Sequence, residues 1–230
     1  RLLMATEYKI TVPAGTESIN GNQLAETVSW SFQTPAPTVK SFHPSNGPQP
    51  LEPVIFVGFD QRINQQDVLD TIELTADGDS YELRLATEKE IEEDETVSSL
   101  VENYQEDRWL AFKTISPLPK DSSINITIGP ETPSAEGTIT TSETQSFQFN
   151  TYPQLRIEEY GCSWYGDECP PLSPFYIRFN NPLDEELFNE SLINITPEIP
   201  ALSITAIGNT ISIQGATTGR TTYKITLDAD

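Results

Sequence analysis

The sequence predicts an all-β chain of tandem antiparallel β-sandwich modules, broken by one short helical insertion near residues 87–105. Three observations predict it. Apolar and polar residues alternate with period two along many short runs, as strands with one buried and one wet face require. The runs are bounded by Pro, Gly, Asn or Asp, and the chain holds 18 prolines and 12 glycines, which suits many short strands with punctuated ends. The third observation is an internal repeat.

Taken in order, the alternating runs are Tyr8-Lys9-Ile10-Thr11-Val12, Val28-Ser29-Trp30-Ser31-Phe32, Ile124-Asn125-Ile126-Thr127-Ile128, Phe147-Gln148-Phe149, Phe175-Tyr176-Ile177-Arg178-Phe179, Ile211-Ser212-Ile213 and Tyr223-Lys224-Ile225-Thr226-Leu227. The repeat joins them. Residues 8–34 and 124–151 each read strand, turn, polar loop and strand, and residues 223–227 begin the same unit a third time. A second shared piece is residues 54–63 against 175–183, each followed by an acidic turn and a strand, at 71–75 and 192–196. The repeats divide the chain into three pieces: residues 1–34 as the last strands of one immunoglobulin-like module, 35–152 as a whole module, and 153–230 as a module lacking its last strand. Proline at the junctions, in Thr34-Pro35-Ala36-Pro37 and Thr151-Tyr152-Pro153, predicts short, stiff linkers. Both ends run straight into strand patterns, so the chain reads as a segment of a longer protein with two incomplete sheet edges. Such edges invite pairing, so the amino-terminal strands of one copy are candidates to complete the third module of another, a strand-swapped homodimer.

Residues 86–107 are rich in helix formers. Thr87 with Glu90 forms a capping box. Ile91, Val97, Leu100, Val101 and Tyr104 form an apolar stripe, and the gap after Ile91 predicts two short helices. The carboxylate run 92–95 reads as a solvated helix face.

Hydrophobic residues make up 36% of the chain, a value that a turn-rich sandwich tolerates but that exceeds simple disorder. The 13 Lys+Arg face 35 Asp+Glu, a formal net charge of -22. That charge excludes nucleic acid and anionic lipid, whose recognition depends on neutralising phosphates. It predicts solubility. Calcium is the sharper reading of the acidity, and Asp77 and Asp79 come nearest to a calcium loop. Asp-Gly is itself a hairpin-turn signal, and the turn is the preferred reading. No apolar run is long enough to span a membrane, and no signal peptide opens the chain.

No catalytic, cofactor or metal residues are assigned. The one histidine, His43, sits in a proline-bounded loop at a module entrance. No Gly-x-Ser-x-Gly elbow, phosphate loop or dinucleotide fingerprint occurs. Trp30 and Trp109, on alternating strands, are expected in the core. Trp164, between the cysteines, is the one to watch as a sugar-stacking platform. Asn125, Asn189 and Asn194 open glycosylation sequons, read as chance matches in a threonine-rich sandwich. Cys162 and Cys169 lie close together with no other cysteine in the chain. A local disulfide is expected, hence an oxidising, extracytoplasmic compartment. Zinc would want four ligands, and His43 is distant in sequence. A redox pair would have two intervening residues where this chain has six.

Trp109-Leu110-Ala111-Phe112-Lys113, Pro117-Leu118-Pro119, residues 129–137, Cys162, Cys169-Pro170-Pro171, residues 177–183 and Gly219-Arg220-Thr221-Thr222-Tyr223 resemble the amino-terminal region of bacterial alpha-2-macroglobulin family proteins. The wider repeat resembles bacterial Ig-like domains of surface-layer proteins. The match runs well over about residues 108–227. The resemblance implies a segment of a large envelope protein, at the periplasm or bacterial cell surface, whose parent traps proteases through a bait region and often a Cys-Gly-Glu-Gln thioester. Neither Cys162 nor Cys169 fits that motif, so this segment is expected to be scaffold, with neighbouring modules of the parent as partners and proteases met only through the parent. The alternative class is a spacer or adhesion module of a cell-surface protein.

Overall fold

The computed structural model describes residues 1–45, 47–162 and 169–228. It is predominantly antiparallel β-sheet and divides into two compact units, Arg1–Tyr152 and Pro153–Asp230.

The first unit opens with β1 (Glu7–Val12) and β2 (Val28–Gln33), a two-stranded antiparallel hairpin with Tyr8 opposite Phe32, Ile10 opposite Trp30 and Val12 opposite Val28. β3 (Val39–His43), β4 (Pro48–Gln49) and β5 (Ile55–Phe59) follow. Then come α1 (Gln65–Leu69), β6 (Ile72–Ala76), β7 (Asp79–Tyr81), β8 (Leu83–Leu85), α2 (Glu88–Glu93) and α3 (Glu95–Asn103). β9 (Trp109–Thr114), β10 (Ser123–Ile128) and β11 (Gln145–Thr151) close the unit. The strands form two sheets, β3-β5-β9-β8 and β4-β11-β10-β6-β7. Their inner faces share one core: Ile55, Val57, Leu110 and Phe112 from the first meet Leu74, Ile124, Ile126 and Phe149 from the second. That is a sandwich.

β5 is buried along its whole length, on both faces. Its outward residues need a cover, and the helical insertion supplies it. Val97, with Ile91, Leu100, Val101 and Tyr104, packs on Val54, Phe56 and Ala111. Asp94 splits the insertion into two helices because its side chain caps the second, accepting from the Thr96 and Val97 amides. The Thr87–Glu90 capping box is formed.

In the second unit, β12 (Ile157–Gly161), β13 (Phe175–Phe179), a 3₁₀ turn (Glu190–Leu192), β14 (Ile193–Thr196), β15 (Ser203–Ile207), β16 (Thr210–Gln214) and β17 (Lys224–Leu227) repeat the plan. A four-stranded sheet β12-β13-β16-β15 faces the pair β14-β17 across a core of Ile177, Phe179, Ile193, Ile211 and Ile213. β17 corresponds to β10 and β14 to β6. Among the described residues no strand corresponds to β11.

Trp109 is half-buried, stacked on Phe56 at 6.1 Å between ring centroids. Trp30 is 50% exposed, against the core position expected for it. The alternation of β2 is real, but the hairpin's apolar face has no opposing sheet in the described chain.

Candidate functional site

Three places concentrate side-chain chemistry. The first is a clamp that occurs twice, once in each unit. In the first, the Thr38 amide donates to Asp60 Oδ1 at 3.0 Å, and Gln61 Nε2 donates to the Pro35 carbonyl at 3.2 Å. In the second, the Arg156 amide donates to Asn180 Oδ1 at 2.7 Å, and Asn181 Nδ2 donates to the Pro153 carbonyl at 2.7 Å. The backbone repeats as well, with Asp60 N donating to Thr38 O and Asn180 N to Arg156 O, each at 3.1 Å. The tails of β5 and β13 thus grip the entering chain with adjacent polar side chains. Sequence comparison aligned these tails but did not reveal their partners, which lie more than 20 residues upstream.

The clamps differ in how the oxygen of the second side chain is met. Gln61 is fully buried and its Oε1 accepts from Ser134 Oγ at 2.8 Å. Ser134 lies in the loop joining β10 to β11. Asn181 Oδ1 is buried without a hydrogen-bond partner among the described residues. Its unit has no described loop after β17.

The second place is the anchor of the amino-terminal segment. Glu136 is nearly enclosed and accepts from the Met4 amide at 3.1 Å and the Arg62 amide at 3.4 Å, with Arg1 and Arg62 at 3.8 and 3.6 Å. Burial pushes its carboxyl up, but the amides of Met4 and Arg62 and the two guanidiniums outweigh it and hold the group below its ordinary value. Gly137 completes the anchor, because a Cβ there would lie 2.1 Å from the Ala5 carbonyl oxygen.

The third is a notch of about 540 Å³ beside α2, whose lining includes His43, Glu52, Glu93 and Asp94. Burial lowers the imidazole's pKa, and Asp94 partly restores it. Glu90, on the rim, is committed elsewhere: it accepts from both terminal guanidinium nitrogens of Arg84, at 2.6 and 2.8 Å, and lies 3.5 Å from Lys113 Nζ. The Arg84 hydrogen bonds, then the Thr87 amide, hold it far below the usual carboxylate range. Among the described residues no group of three His, Cys, Asp or Glu is placed to hold a metal ion.

The remaining sequence-derived candidates fall as follows. Cys162 and Cys169 are joined as a disulfide, with Cα atoms 5.3 Å apart. Trp164 lies outside the described residues. Asp77 and Gly78, with φ of +53° and +94°, make the turn between β6 and β7, and Asp77 accepts from Ser122 Oγ at 2.8 Å. Asn125 is on β10, hydrogen-bonded by Gln148. Asn194 is on β14, donating to Asp228 at 2.6 Å. Asn189 caps the 3₁₀ turn. No described helix is long and apolar enough to cross a membrane.

Fold and side chains together describe an all-β chain with repeated, clamped entries and a disulfide-bonded cysteine pair. No family model matches the chain. It is 25% identical over 163 residues to the Circularly permutated Ras protein 2 of Dictyostelium discoideum, an alignment that covers 66% of this chain and 4% of that protein. The chain thus spans a small fraction of the relative's length.

Proposed function

We propose that the chain is a non-catalytic structural segment of a large bacterial envelope protein resembling alpha-2-macroglobulin. Its tandem immunoglobulin-like modules hold neighbouring modules of the parent, and the parent meets and traps proteases. The observation that carries this reading is the twice-built clamp. Where two repeats agree in side-chain chemistry, they reveal what the architecture demands, and here the agreement lies on chain entry. The disulfide suits an oxidising compartment, hence the periplasm or cell surface. The Glu136 anchor extends the same logic to the amino-terminal hairpin.

A spacer or adhesion module of a surface protein is the second reading, and the clamp serves such an array equally well. The experiment mixes the parent protein with several endoproteases and follows cleavage of a large protein substrate and a small peptide. Trapping protects the large substrate and spares peptide cleavage, and the isolated 230-residue chain protects neither. Unprotected substrate with the parent leaves the spacer. Stoichiometric protection by the isolated chain overturns the structural assignment.

A further inference from the structure

The sandwich itself does not require the helical insertion. In the second unit β15 and β16 are joined by Gly208 and Asn209 alone, whereas the corresponding strands of the first unit, β8 and β9, are joined by residues 86–108. The sheet faces differ to match. On the outer face of β13, Tyr176 donates to Glu159 at 3.0 Å and Arg178 pairs with Glu159 at 2.5 Å. The equivalent positions on β5 are Phe56 and Gly58, and α3 lies on them through Val97 and Tyr104. The first unit thus carries an apolar outer face together with its own cover.

α3 meets β3 at both ends. The register pairs His43 with Phe56 and Ser41 with Gly58, so both β3 side chains share the covered face. At the C-terminal end of α3, Ser41 Oγ and the Tyr104 hydroxyl are 2.6 Å apart. At its N-terminal end, His43 shares the notch with Thr96 and with Asp94, the cap of α3. The other charges facing His43 there are Glu52 before β5, Glu90 and Glu93 of α2, and Lys113 of β9, with Arg84 of β8 bound to Glu90. Asp94 is the charge that bears on the imidazole, but its Oδ1 already accepts from the Thr96 and Val97 amides. The helix also turns its positive end towards the notch. An imidazolium therefore gains less there than it loses by leaving water, and burial dominates.

We propose that α3 is a proton-sensitive lid: neutral His43 lets it close over Val54, Phe56 and Ala111, and protonation of His43 shifts it towards an open state in which the imidazolium is solvated and that apolar face is uncovered. The closed lid holds the imidazole below its ordinary value of 6.5, which it regains on opening. The contribution of His43 to closure is complete above that value and is lost as pH falls through it towards the closed-state value. Glu90 stays ionised throughout this window, so its bonds to Arg84 keep α2 tethered and α3 is the part that opens. One histidine biases the lid without throwing it fully open, because closure also buries Val97 and the face beneath.

The test is amide hydrogen exchange of the intact chain between about pH 8 and pH 5, corrected for the intrinsic pH dependence of exchange, beside an NMR titration of the imidazole. His43 is the one histidine in the chain, so its ring signals identify themselves. The expected result is a titration below the ordinary histidine value, α3 amides less protected than those of β10 and β11 at every pH, and α3 protection that falls by about twofold or more as pH drops. His43→Gln should abolish that fall, and His43→Lys should lower α3 protection already at the alkaline end. A titration at or above the ordinary value, α3 protection that is constant with pH, an equal fall in His43→Gln, or α3 amides that exchange only together with β10 and β11 overturns the proposal.

Discussion

Gln61→Ala and Asn181→Ala change equivalent positions and should not cost the same. Gln61→Ala removes two well-formed hydrogen bonds, to Pro35 and from Ser134, and a third, to Asp60 Oδ1, that at 3.5 Å adds little. At about 1 kcal/mol each, plus a partly collapsed cavity at a fully buried site, the loss is about 2–3 kcal/mol. Asn181→Ala removes one hydrogen bond, to Pro153, worth about 1 kcal/mol. It also removes a buried carbonyl with no partner, relieving a desolvation penalty of about 1 kcal/mol or more. The net change is near zero. The assay is urea unfolding followed by hydrogen exchange at β5 and β9 for the first unit and at β13 and β16 for the second. Equal losses at the two sites, or a larger one at Asn181, would refute the reasoning from the orphaned oxygen.

Gly58→Ala would set a Cβ 2.2 Å from the Tyr104 ring. It should cost about 1–3 kcal/mol and speed exchange in α3, with Tyr104→Ala restoring part of the loss. Reducing the Cys162–Cys169 bond, whose cysteines are 7 residues apart, should destabilise the second unit by about 2.5 kcal/mol in the chain-entropy model. Alkylation before and after reduction, read by intact mass, checks that the bond exists. Glu90 is held below its ordinary range, so its contribution is complete above an unfolded-state pKa of about 4.3 and fades as pH falls below it towards the folded value. Acid titration of the first unit should therefore flatten in Glu90→Gln.

Several strands were legible where alternation met a turn residue. Residues 124–128 bury Ile124, Ile126 and Ile128 in the first unit's core, and the Asp77-Gly78 turn adopts the positive φ its sequence predicts. The capping box was legible because it is local. Trp30 was misread because alternation says which side chains share a face, and not whether another sheet stands opposite. The clamp and the Glu136 anchor were hidden for a different reason. Each joins polar residues far apart in sequence, 132 positions for Met4 and Glu136, and nothing in a polar loop marks which carboxylate will be enclosed. The strands β4, β7 and β8 were missed, being 2 or 3 residues long, and so were β3, β12 and β15, of 5 residues each.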